Sequence, residues 1–81
     1  MALFMIERNF AEALEEATEE GTAAAEAVAA AMGLEWVSTF LSADRKRTYC
    51  LYEAPNVEIL REHATRLGMP LDSIIEVTKY H

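Results

Sequence analysis

The stretch TYCLYEAPNVEILREHATRLG, Thr48 to Gly68, holds a strand, a stop, a helix cap, a helix and an exit in unbroken succession. Thr48 to Ala54 alternates in the period-two manner of a strand, Pro55 cannot donate to a ladder, and Asn56 offers a side-chain oxygen to the free N–H groups of a following helix. Val57, Leu60, Ala64 and Leu67 recur at helical spacing. Gly68 then suits a left-handed exit, and Pro70 lies just beyond. A strand that feeds a helix through so short a corner commits the chain to packing helices against a sheet. The same stretch contains the only cysteine, Cys50, and one of two histidines, His63.

The flanking segments repeat the pattern. Ala2 to Arg8 reads as strand one, with Phe4 and Ile6 on one face and Leu3 and Met5 on the other until the charged Glu7 and Arg8. The next segment is acidic, carrying Glu12, Glu15, Glu16, Glu19 and Glu20, which suit the positive end of a helix dipole. Helix one is expected over Thr18 to Met32, where alanines permit close approach to a sheet, and Gly33 ends it. Leu34 to Ser42 is strand two, with Leu34, Trp36 and Phe40 expected on one face and Val37 and Leu41 on the other. The turn ADRKR leads to strand three, Thr48 to Ala54, and its basic trio is expected as a solvated hairpin tip. Helix two is Val57 to Leu67, and Ile74 to Lys79 is strand four. The order strand, helix, strand, strand, helix, strand in one domain of 81 residues predicts a ferredoxin-like α+β sandwich, with both helices on one face of a four-stranded antiparallel sheet.

That fold leaves one sheet face uncovered, yet strands one to three carry large apolar groups on both faces. With 52% hydrophobic residues, the chain has more apolar surface than so small a domain can bury. Pairing two sheets face to face would cover it, giving a homodimeric α+β barrel with room for a ligand inside. The formal charge of −7 opposes binding to nucleic acid or anionic membranes. MALFMIERNF lacks the basic start and apolar length of a signal peptide, and no apolar run approaches the roughly 20 residues of a membrane span, so a cytoplasmic location is expected.

Along strand three, Thr48, Cys50 and Tyr52 face one way and Tyr49, Leu51 and Glu53 the other. Cys50 reads either as a small buried hydrophobe or as a thiolate ligand; His63, at the border of the helix-two apolar stripe, reads either as structural or as a donor. Further donors are His81, Met5, Glu7, Glu53 and Glu76, and imidazole with thiolate favours nickel, copper or zinc. No CxxC, HxH or HExxH spacing is present, so a metal site must be assembled from separate elements or across a dimer. A second reading is a small-molecule-binding protein or cofactor-free enzyme, using Trp36, Tyr49, Tyr52 and His63 around an apolar cavity. No phosphate-binding glycine loop is present, and no third residue completes a Cys50–His63 nucleophile pair.

FMIERNF, LEWVSTFLSADRKRTYCLYEAPN and ILREHATRLGMPLDSIIEV together resemble a small bacterial nickel-binding family, otherwise catalogued as a domain of unknown function. The resemblance spans roughly residues 3 to 77 and departs at Ala11 to Gly21, where the family commonly has a Pro-Gly turn. It implies a ferredoxin-like homodimer that binds nickel in metal response or sequestration, and it does not imply catalysis. Carried over by motif, the residues implied at the metal are Glu7, Tyr49, Cys50, His63 and Glu76.

Overall fold

A computed structural model describes residues 1–81. The elements are β1 (Ala2–Asn9), α1 (Glu19–Ala31), β2 (Glu35–Leu41), β3 (Arg47–Ala54), α2 (Val57–Leu67) and β4 (Ser73–Val77). The strands form one antiparallel sheet in the order β2-β3-β1-β4, with α1 packed on β2 and α2 on β3. This is the ferredoxin-like arrangement that the element order predicts.

Local chemistry sets the helix ends. The Asn56 side chain accepts from the Ile59 N–H at 3.0 Å, and Gly68 leaves α2 with φ of 65°, a conformation that costs a residue with a Cβ. At α1 the N-cap is Thr18, whose hydroxyl accepts from the Gly21 N–H. A Cβ on Gly21 would meet that hydroxyl at 3.0 Å, so the glycine that breaks the helical pattern makes room for the cap. Only Glu19 and Glu20 stand in the first turn, where they complement the helix dipole.

The acidic segment before α1 is pinned to the β2–β3 hairpin. Phe10 N–H donates to the Lys46 carbonyl and Leu14 N–H to the Arg45 carbonyl, each at 2.7 Å. Arg45, at φ of 64°, returns a side-chain bond from Nε to the Leu14 carbonyl at 2.7 Å. The basic tip, expected as a solvated edge, is therefore a clasp across the end of the sandwich.

Directly opposed residues of an antiparallel pair share a face. Phe4, Ile6 and Arg8 of β1 oppose Tyr52, Cys50 and Thr48 of β3, and all six are buried beneath the helices. Ile6 and Leu60, both fully buried, each contribute about 1.5–3 kcal/mol by leaving water. On β2 the faces differ from the expected alternation. A bulge between Trp36 and Ser38 adds one residue, so Thr39 and Leu41 join Trp36 on the helix side while Phe40 moves to the open face. Phe40 stands 58% exposed there and Ile75 57%, beside a groove lined by Leu3, Met5, Val37, Leu51 and Val77.

Replacing Asn56 by alanine removes the α2 cap. We expect a loss of about 1 kcal/mol of unfolding free energy in urea, with unchanged helix content by circular dichroism. An unchanged midpoint would show that the Ile59 N–H finds another partner.

Candidate functional site

The inward row of the sheet and the two helices line a half-open cavity of about 210 Å³. Its floor is Arg8, Thr48, Cys50 and Tyr52, side chains that the β1–β3 register places together. His63 and Leu67 of α2 form one wall, Trp36 and Thr39 of β2 another, and Phe10 and Leu14 of the clasped segment close an end. Cys50 and His63 thus share one chamber, reached from β3 and from the inner face of α2.

The thiol is held in a relay. Trp36 Nε1 donates to Thr39 Oγ1 at 2.7 Å, Thr39 Oγ1 to Cys50 Sγ at 3.3 Å, and Cys50 Sγ lies 3.9 Å from Thr48 Oγ1. His63 is 1% exposed and meets the Tyr52 ring edge-on, with centroids 5.4 Å apart. Neither of its ring nitrogens has a hydrogen-bond partner. Arg8, also 1% exposed, donates from Nη1 to the Pro70 carbonyl at 2.7 Å, but its Nε and Nη2 are unpartnered. Desolvation first, and the Arg8 charge second, push the His63 imidazole below its ordinary pKa. Burial first, and the neighbouring Cys50 second, raise the Tyr52 hydroxyl, an effect that the charge and hydrogen bonding of Arg8 partly offset.

The five residues expected at a metal do not converge within one chain. Cys50 and His63 face the cavity, whereas Glu7 and Tyr49 oppose each other on the open sheet face. Arg47 bridges that second pair, lying 3.7 Å from Glu7 Oε2 and donating to Tyr49 Oη at 3.4 Å. Glu76 is exposed on β4 opposite Phe4, three places along β1 from Glu7. Of the further donors, Met5 and Glu53 lie on the open face and His81 is exposed beyond β4. Glu53 opposes Glu35, whose carboxyl it holds above the usual range by hydrogen bonding and repulsion.

No group of three or more His, Cys, Asp or Glu side chains is close enough to hold an ion. His63 has the free nitrogens a transition metal needs, and Cys50 adds a soft donor. The fixed guanidinium of Arg8 faces the same space and repels any cation brought there. Within one chain, this donor set does not fit a nickel centre. Arg8 is the site residue that the sequence does not single out, since it reads with Glu7 as the charged end of strand one. The signal was available, since Phe4, Ile6 and Arg8 lie on one period of two.

The burial of His63 has a pH consequence. The folded pKa lies below the unfolded one, so stability is complete above about pH 6.5 and is lost as pH falls toward the folded value. Arg8 from β1, and Cys50 and Tyr52 from β3, are the charged and titratable groups around it. We expect urea unfolding to show a decline of up to ~1.4 kcal/mol per pH unit below about 6.5, and His63→Gln to flatten it. A wild-type curve that is flat there would mean that the folded chain accepts the proton freely.

The family described as "Nickel responsive protein SCO4226-like" matches residues 4–77. Among solved structures, SCO4226 from Streptomyces coelicolor A3(2) superposes with a TM-score of 0.73 at 21% sequence identity, covering 99% of this chain and 100% of that one. At that identity the likeness speaks for the fold. No curated protein matches. With a match that runs from Phe4, near the start of β1, to Val77 at the end of β4, the chain belongs to the SCO4226-like family of nickel-responsive proteins.

Proposed function

We propose that this protein is a small homodimeric binding protein of nickel response, paired through the open face of its sheet. Family membership over residues 4–77 is the observation that carries the nickel reading. The pairing is supported by the open face itself, where Val37, Phe40 and Ile75 stand 48%, 58% and 57% exposed around an apolar groove. Apolar surface gathered in this way is stabilised by a self-complementary partner, and a two-fold axis through the groove would bury it against its own copy.

Pairing also bears on the metal. Each open-face donor is then presented twice, so Glu7 and Tyr49 of two subunits provide an oxygen-donor set that one chain lacks. Arg47 competes for Glu7, but its side chain is 51% exposed and can turn into solvent. Arg8 has no such freedom, and this difference favours the open face over the cavity for a cation. Bound nickel would act there as the signal, with Glu7 and Tyr49 as its ligands.

Titration calorimetry with Ni(II) tests the reading. The wild type should bind, the double variant Glu7→Gln/Tyr49→Phe should lose binding, and His63→Gln and Cys50→Ser should retain it. No binding by the wild type removes the nickel reading; loss in the cavity variants alone moves the ion to the cavity. Light scattering should give twice the 9.1 kDa chain mass, and Phe40→Glu should shift it to the monomer. A wild-type mass near that of one chain would sink the pairing.

A further inference from the structure

We propose that the cavity between the helices and the sheet is a binding site for a small carboxylic acid with an apolar body, its carboxylate held by the Nε–Nη2 edge of Arg8. This goes beyond the nickel reading and does not depend on it.

A guanidinium is charged at every pH a protein meets, and leaving it buried without an anion is costly. Arg8 is 1% exposed, and no carboxylate is bonded to it; its bond is to the Pro70 carbonyl, on Nη1, and its polar neighbour is the Tyr52 hydroxyl, a neutral group that leaves the charge unbalanced. The two donors left over, Nε and Nη2, lie side by side on the edge that binds carboxylates in a two-bond fork. That edge belongs to a residue lining the cavity. His63, with both nitrogens unpartnered, lines it too, so a neutral imidazole stands ready to donate one further bond. Two polar side chains that are almost wholly buried, each with unused hydrogen-bonding atoms, thus line the same cavity, and those atoms lie just behind its apolar surface, where an entering carboxylate would reach them by a small outward turn of the side chains.

The remaining walls choose the ligand class. Phe10, Leu14, Trp36 and Leu67 are apolar, so they favour a hydrocarbon or aromatic body over a sugar or a polyphosphate. One cation balances one negative charge, whereas a phosphate dianion would leave a surplus charge in an apolar chamber. A volume of about 210 Å³ equals that of about seven waters, which suits an acid the size of benzoate. Cys50, tied into the Trp36–Thr39–Thr48 relay, is already satisfied and leaves the ligand's charge to Arg8.

Trp36 is the only tryptophan and lines the cavity, so its fluorescence reports occupancy directly. The full chain, kept in chelator so that nickel plays no part, is titrated with benzoate, benzamide and phenyl phosphate. Benzoate should bind saturably and raise the melting temperature, benzamide should bind at least tenfold more weakly, and Arg8→Met should lose benzoate binding by tenfold or more. Arg8→Lys keeps the charge but not the fork, and should fall between. Should Arg8→Met fail to fold, the wild-type Arg8 Nε–H resonance gives the answer, shifting with benzoate and not with benzamide. No benzoate binding up to about 10 mM, well above the weak end of specific affinities, overturns the proposal. Equal binding of benzamide, an unmoved Arg8 resonance, or tighter binding of phenyl phosphate does so too.

Discussion

The antiparallel register of β1 on β3 is the constraint from which the rest of this molecule follows. Its span, from Ala2 opposite Ala54 to Asn9 opposite Arg47, assigns every side chain of the two central strands to a face. A slip of β3 by one residue against β1 would exchange its faces, sending Cys50 to solvent and Tyr49 beneath the helices. Such a slip is prevented at both ends. The Pro55–Asn56 corner stops β3 beside Ala2, and Arg47 joins Asn9 Oδ1 at 2.6 Å beside the clasped hairpin tip. The neighbouring strand is tied down as well, since Asn9 N–H donates to Asp72 Oδ2 at 2.7 Å just before β4. These are modest bonds singly, but they hold a register that the burial of Phe4, Ile6, Tyr52 and Leu60 already favours strongly.

The same register brings Arg8 inside. On sequence grounds a charged residue at the end of a strand belongs in water, and here it sits under the helix layer with one of its three nitrogens bonded. A methionine of similar reach would leave no unpaired donors, and hydrophobic replacements of buried charges are often neutral or stabilising. The fold therefore carries Arg8 at a cost, and His63 beside it at a second, smaller one. Local rules broken at neighbouring positions, without compensation within the chain, are the usual mark of a site. The open face breaks a rule of a different kind, leaving apolar side chains in water. Deficits of polar partners call for a polar ligand, and deficits of cover call for a surface.

Much of this was legible from residue order. The α2 limits, its Asn56 cap and its Gly68 exit follow from local chemistry that no tertiary contact overrides, and strand identity followed from period-two runs. What was not legible depended on registration between strands. The bulge at Val37 inserts a residue that β2 alone gives no reason to expect, and through it Phe40 and Leu41 exchange faces. The five expected metal residues come from motifs spread from β1 to β4, and the two that share a motif, Tyr49 and Cys50, are neighbours on a strand and so must point opposite ways. Adjacency in a motif is not convergence in space. The charge of Arg8 argues for water and its place in the row Phe4, Ile6, Arg8 argues for the core, and the row is the stronger signal wherever a strand is central.

The two faces are separate in chemistry but joined through β1. Glu7 and Arg8 are consecutive, so one residue step carries the chain from the open-face cluster with Asn9, Arg47 and Tyr49 to the cavity floor. A shift of this strand end cannot move one face without the other, because a pleated strand is stiff along its length and pinned by ladders on both sides. Any displacement of Arg8 toward an anion would draw on the β1 segment that holds Glu7, and a partner covering the open face would restrain the same segment from outside. Coupling of this kind requires no long pathway. It would require β1 to have two arrangements that both faces bias, with Glu7 and Arg8 as the neighbouring side chains through which each face acts.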